Sequence, residues 1–304
     1  MIYHCKVRII SICLFFFFQL NCIAAENLKH PGSNKCYVVP IEFFEDAPVL
    51  TVKIGEKKAK LVFDTGASIP LSLAKSIIDS VGGIKYTGEQ HRSIDSAGKI
   101  SSSATFFVEK VTLGEYHAKK VKGKDYKPWG MYVTESGKTE HKSKTEDHGV
   151  IGLGFFKNKN FIIDYSRKKI FILEGNAVPP DYKDVSWHST PLILSKEGLI
   201  IQTKVNNHAA AFLLDTGSTG SMLRTTKILS QKNSENNSIL AETFLISGKN
   251  YGPIKFFLLN FPKFSFDGLL GYDFFLKNVV YIDFDKKLVH FSAGDGGRLV
   301  GITR

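Results

Sequence analysis

The chain has 304 residues, 43% hydrophobic, 23% charged and 12% aromatic, with 40 Lys+Arg against 29 Asp+Glu and a net charge of +11. That composition excludes a disordered or collagen-like chain and supplies enough apolar residues for a packed core. Four cysteines are too few for a disulfide scaffold at this length, and a single long apolar stretch excludes a multi-span membrane protein.

That stretch comes first and reads as an export signal. Lys6 and Arg8 form a basic start, residues 9–20 an apolar run rich in phenylalanine, and Ala24 and Ala25 a small-residue cleavage point. Residues 1–25 are therefore set outside the fold. The protein is expected to be exported, periplasmic or secreted, with no membrane span after signal removal. Cleavage removes Cys5, Cys13 and Cys22 and leaves Cys36 alone, so no internal disulfide forms. It also leaves 38 basic against 29 acidic residues, a net charge of +9. Only residues 26–40 then precede the first expected strand.

The remaining chain is written twice. Residues 48–68 hold an apolar strand, a turn at Gly55-Glu56, and a second strand running into Asp64-Thr65-Gly66-Ala67-Ser68. Residues 198–218 repeat this with a turn at Asn206-Asn207 and a strand running into Asp215-Thr216-Gly217-Ser218. Tight turns between apolar runs signal β-hairpins. Downstream, Val150-Ile151-Gly152 and Leu269-Leu270-Gly271 each precede two more short strands, at 161–173 and 279–291. A two-copy repeat at this period is a duplicated domain. Helical periodicity is confined to 71–81 and 222–229. Gly175, Pro179 and Pro180 break the chain between copies, which sets lobes at 26–178 and 179–304. A run of lysines (Lys119, Lys120, Lys122, Lys124, Lys127, Lys138, Lys142 and Lys144) reads as a solvated loop, an insertion over 117–146. No nucleic-acid-binding motif accompanies it.

One Asp-Thr-Gly is a β-turn sequence. Two copies, each after an apolar strand and each followed by an apolar-apolar-Gly segment, resemble the aspartic protease clan over nearly all of the mature chain. Residues 267–275 are similar to the downstream signature of retropepsin-like members. The resemblance implies an all-β fold of two pseudo-twofold-related β-barrel lobes, retropepsin-like but joined in one pepsin-like chain, with the active-site cleft between them. It implies an aspartic-type endopeptidase, a hydrolase whose catalytic residues are Asp64 and Asp215.

Hydrolysis without a metal or covalent intermediate needs a base for water and an acid for the carbonyl oxygen, and two carboxyls sharing one proton supply both. Gly66 and Gly217 permit the sharp turns. Thr65 and Thr216, by resemblance, cross-link the turns through their hydroxyls. Gly152 and Gly271 let their strands pass closely beneath. Ser218 has no hydroxyl counterpart at Ala67, which suggests that Ser218 donates to Asp215 and makes it the more acidic member.

The copies differ in length. From Asp64 to Gly149 is 85 positions; from Asp215 to Gly268 is 53. The first copy thus has room for an extra hairpin, which the resemblance makes a substrate-covering flap with its tip at Ser96, Ala97 and Gly98. No cofactor is expected, and no His-Glu-x-x-His or Cys/His cluster suggests a metal. The expected partner is an extended peptide or protein, bound by a monomer through strand-like pairing. The rival reading is a catalytically silent bilobal protein that binds peptides or polymers.

Overall fold

The computed structural model describes residues 34–94, 100–127, 132–133, 139–140, 149–175, 177–225, 237–260 and 264–294. These are mostly β. Their α-helices are two single-turn pieces, Lys75–Ser80 and Tyr272–Lys277.

In the first half of the chain, strand Ala47–Ile54 turns at Gly55 into Lys57–Asp64, with Ile54 opposite Lys57. Leu50, Val52 and Ile54 are fully buried while Thr51 between the first two is exposed, the alternation of a strand with one face on a core. The sheet runs on through Gly149–Gly152, Leu71–Leu73, Tyr116–Asp125 and Ile100–Leu113. Ile100–Leu113 then pairs back onto Ala47–Ile54, which closes a barrel. Strand Ile84–Ile94 extends it as a long hairpin with Ile100–Leu113.

The second half builds an open counterpart. Leu199–Val205 turns through Asn206 and Asn207, both at positive φ, into His208–Leu214. Asparagine tolerates that left-handed backbone better than most residues, which suits a two-residue hairpin loop. Gly268–Leu270 and Met222–Arg224 continue the sheet. No pairing among the described residues closes this sheet into a ring.

A six-stranded sheet draws on both halves, in the order Lys35–Pro40, Lys169–Glu174, Asn160–Asp164, Asn278–Asp283, Leu288–Ala293, His188–Pro191. Its centre displays the duplication. Ile162 pairs with Tyr281, Phe161 with Ile282 and Ile163 with Val280. Aligning Asp164 with Asp283 makes Ile162 the counterpart of Tyr281, so the two copies meet about a local twofold at that pair. Asn160–Asp164 is buried along its whole length, because both sheet faces are covered. One face adds to the main core. The other packs Ile162, Phe171, Leu173, Tyr182 and Val279 beneath Val185 and Trp187.

Three expectations are corrected. Residues 222–224 are a strand paired with Phe257 to Leu259, not the start of a helix; the apolar spacing of Met222 and Leu223 serves sheet packing instead. The helix Tyr272–Lys277 had no periodic signal because it is one turn long. Residues 35–40, read as lying ahead of the first strand, are an edge strand held by Lys169–Glu174.

Candidate active site

Two turns carry the acidic pair. Asp64 ends strand Lys57–Asp64, and Asp215 directly follows strand His208–Leu214. Each of these strands lies inside its sheet, between a hairpin partner and a parallel neighbour. Asp64 sits opposite Gly152, and Leu214 opposite Leu270. The amide of Asp215 donates to the carbonyl of Leu270 at 3.0 Å. The backbone that presents the carboxyls is thus fixed from both sides.

The turns repeat each other in detail. Ala67 N–H donates to the Asp64 carbonyl, and Ser218 N–H to the Asp215 carbonyl, both at 3.2 Å. Gly66 N–H donates to Asp64 Oδ1 at 2.8 Å, and Gly217 N–H to Asp215 Oδ1 at 3.0 Å. Thr65 Oγ1 accepts from Thr216 N–H at 3.0 Å and donates to the Leu214 carbonyl at 2.7 Å. Thr216 Oγ1 accepts from Thr65 N–H and donates to the Phe63 carbonyl, both at 2.9 Å. Both threonines are fully buried. Four mutual hydrogen bonds in a dry environment hold one turn against the other.

The glycines mark how close the turns come. A Cβ on Gly66 would lie 2.9 Å from the Asp215 carboxyl, and one on Gly217 between 2.6 and 2.9 Å from that of Asp64. Each turn glycine therefore faces the opposite carboxyl with no room for a side chain. Beneath them, a Cβ on Gly152 would meet the Ile69 and Ala67 carbonyls at 2.3 and 2.4 Å. One on Gly271 would meet those of Gly220 and Ser218 at 2.6 and 2.7 Å.

Burial of both carboxyls disfavours charge, so both titrate above the ordinary aspartate range. Asp215 is raised further, by burial and then by the charge of Asp64. For Asp64, burial is opposed by the hydrogen bond from Asp215, by the Gly66 and Ala67 amides, and by the Lys124 ammonium. Ala67 N–H also reaches Asp64 Oδ1 at 3.1 Å. Asp64 is thus the member more easily ionised, although both are held toward the neutral form. This reverses the expectation built on Ser218. Its hydroxyl donates to the Gly220 carbonyl at 2.7 Å, so it is already engaged away from Asp215.

Ser96, Ala97 and Gly98, the expected flap tip, lie outside the described residues. The hairpin leading to them is Ile84–Ile94 with Ile100–Leu113. Two residues near the pair escaped sequence reading. Tyr165 is buried, and its phenol is held well above its usual range by burial and by the charge of Asp215. Its ring packs on Phe43, Tyr272 and Phe275. The only signal was its place one residue past Asp164, where the second copy has Phe284. Lys124 lies on a strand rather than in a loop, and its charge acts on Asp64. Among the described residues no group of three His, Cys, Asp or Glu side chains is placed to hold a metal ion. No helix among them is long and apolar enough to cross a membrane.

A family model for aspartyl proteases matches residues 50–155, the segment that contains Asp64 and Gly152. No curated protein matches the chain. Among solved structures, the aspartic proteinase from Irpex lacteus superposes with a TM-score of 0.58 at 14% identity, over 88% of this chain and 100% of that one. The chain thus carries an aspartyl-protease pattern in its first half and, along nearly its whole length, the two-lobed, mostly β fold of a pepsin-like aspartic proteinase.

Proposed function

We propose that this protein is an aspartic endopeptidase and that Asp64 and Asp215 are its catalytic residues. The observation that carries the reading is that each carboxyl lies against the turn glycine from the other half of the chain, so close that neither glycine can bear a Cβ. Two carboxyls on turns packed this tightly would share a proton, and a shared proton gives one base and one acid.

In the proposed cycle a water lies between the pair. Asp64 takes its proton as the oxygen attacks the peptide carbonyl carbon. Asp215 gives its proton to the carbonyl oxygen. A neutral tetrahedral diol results, with Asp64 protonated and Asp215 charged. Collapse breaks the C–N bond: the nitrogen takes the proton from Asp64, and one diol hydroxyl returns its proton to Asp215. The pair ends as it began. Donors fixed before the reaction need no reorganisation during it, and the threonine cross-link supplies that fixity here.

The substrate would be an extended peptide or protein segment lying under the hairpin of Ile84–Ile94 and Ile100–Leu113. Main-chain pairing would hold any sequence in that form while side pockets choose among them. Ser96, Ala97 and Gly98 would form the tip that closes over it. The chain would act as a monomer, since both carboxyls come from one polypeptide, and residues 1–25 would direct it to the periplasm or exterior.

The test is hydrolysis of a denatured protein by the purified chain at acidic pH, followed as release of new amino termini. Steady release that Asp64→Asn abolishes supports the enzyme. Binding of the same denatured protein without any release would favour a silent bilobal binding protein.

A further inference from the structure

Lys124 stands near the end of strand Tyr116–Asp125, opposite Ser72 on one neighbouring strand and Thr105 on the other. Neither neighbour is charged. The side chain is half-buried, and its ammonium donates to the Ser93 hydroxyl on strand Ile84–Ile94. Among the described residues no carboxylate lies within ion-pair distance of it. The strand register runs from Lys124 through Ser72 and Val150 to Val62, two residues before Asp64, so Lys124 and Asp64 share one face of the sheet, and Asp64 is the anion whose charge acts on the ammonium.

Its other charged surroundings have the same sign or are already engaged. Lys122, on the same strand, is ion-paired to Glu89 at 3.0 Å. Lys127 donates to the Ser102 carbonyl. His91, on the hairpin strand that carries Ser93, is shifted below the ordinary imidazole range by burial and by Lys124 and Lys122. Asp64 in turn faces Asp215, the Tyr165 phenol and Lys124. Lys124 is thus a cation whose field reaches Asp64, and its ammonium is anchored by a hydroxyl on the neighbouring hairpin.

We propose that Lys124 is a positioning residue of the acidic pair: anchored to Ser93, its ammonium supplies the counter-charge that keeps Asp64, rather than Asp215, the ionised member. This rests on the endopeptidase reading and adds to it a link between hairpin and pair. A hairpin that shifts carries Ser93 with it, and the ammonium loses its anchor. The ionisation of Asp64 then depends on where the hairpin sits.

The sign follows from the charges. A nearby cation favours the carboxylate, so its removal raises the pH at which Asp64 ionises. The pair titrates as a unit, and the lower of its two apparent values is the one that moves. The experiment is the pH dependence of kcat/KM for the wild type, Lys124→Met, Lys124→Arg and Ser93→Ala. Lys124→Met is expected to move the acid limb to higher pH by about half a unit or more. Lys124→Arg keeps the limb in place, and Ser93→Ala moves it the same way by less. A merely structural lysine would lower kcat or Tm and leave the limb unmoved, and that result overturns the proposal.

A second readout needs no turnover. Carboxyl-carbon NMR titration of protein labelled at aspartate, with Asp64 assigned from Asp64→Asn, reads the same shift in Lys124→Met, or in Ser93→Ala should the first variant fail to fold. An unmoved Asp64 overturns the proposal even if the wild type proves inactive. A moved Asp64 in a protein that hydrolyses nothing upholds it and sinks the endopeptidase reading alone.

Discussion

The two acidic turns share a backbone and differ in charge. Each ends an interior strand, passes over a Gly-bearing parallel strand and offers its glycine amide to its own carboxyl. Both carboxyls are also favoured as anions by the next amide along, Ala67 for Asp64 and Ser218 for Asp215. The differences lie around them. Asp64 is favoured in addition by Lys124. Ser218, the extra hydroxyl of the other turn, is spent on the Gly220 carbonyl. A symmetric frame brings two like groups together, and asymmetric neighbours decide which one keeps the proton. In the proposed cycle, two equal carboxyls would leave the acid and the base undefined, and unequal ones would assign them before substrate arrives.

The comparison breaks most completely when either carboxyl is removed. Asp64→Asn and Asp215→Asn are each expected to lower kcat by a factor of about 10³ or more, since both proton transfers depend on the pair. Tm should not fall, because Asn keeps the shape of Asp and replaces a carboxyl whose ionisation burial disfavours. Stopped assays of peptide hydrolysis beside thermal melts check both halves of that statement.

The glycines rank next. Gly152→Ala places a Cβ 2.3 Å from a backbone carbonyl, with a cost of about 2–4 kcal/mol in urea unfolding. Gly217→Ala drives a methyl into the Asp64 carboxyl. It is expected to cost about 1–3 kcal/mol and to abolish turnover. The threonines sharpen the comparison by joining its sides. Thr65→Val and Thr216→Val are each expected to cost about 1–3 kcal/mol by leaving buried amides and carbonyls unpaired. The two changes break different hydrogen bonds, so the departure of the double variant from their sum measures how tightly the turns are coupled.

Stability against pH separates the turns more finely. Asp215 titrates above its unfolded value, so the stability it contributes is fully present below the ordinary aspartate range, about pH 4. It is lost as pH rises through the higher folded value. Asp215→Asn should flatten that decline in unfolding free energy, and a decline that persists unchanged would place the raised group elsewhere. The smallest effect belongs to Ser218→Ala. It should leave the acid limb of the pH–rate profile unmoved, because the hydroxyl serves Gly220, and cost about 1 kcal/mol of stability for one hydrogen bond.

These differences were not equally legible in the sequence. The frame was, because Asp-Thr-Gly and the apolar-apolar-Gly segment occur twice in the same order, and strand alternation at residues such as Leu50, Val52 and Ile54 is a local pattern. The asymmetry was not. Which acceptor Ser218 finds depends on its rotamer and on the Gly220 carbonyl two residues on, and neither is written in composition. Lys124 was hidden by its company: eight lysines within 26 positions read as a solvated segment, yet the strand alternates and turns Lys124 toward Asp64. Strand Lys35–Pro40 depends on a partner more than a hundred positions away. The flap tip at residues 96–98 lies outside the described chain.

The most direct test of the central claim is a complementation assay on the purified chain. Peptide hydrolysis is measured at acidic pH for the wild type, for Asp64→Asn, for Asp215→Asn and for an equimolar mixture of the two variants. One polypeptide that builds one acidic pair predicts turnover in the wild type alone, with both variants and their mixture silent. Retained turnover in either variant, or recovery on mixing, would contradict the account.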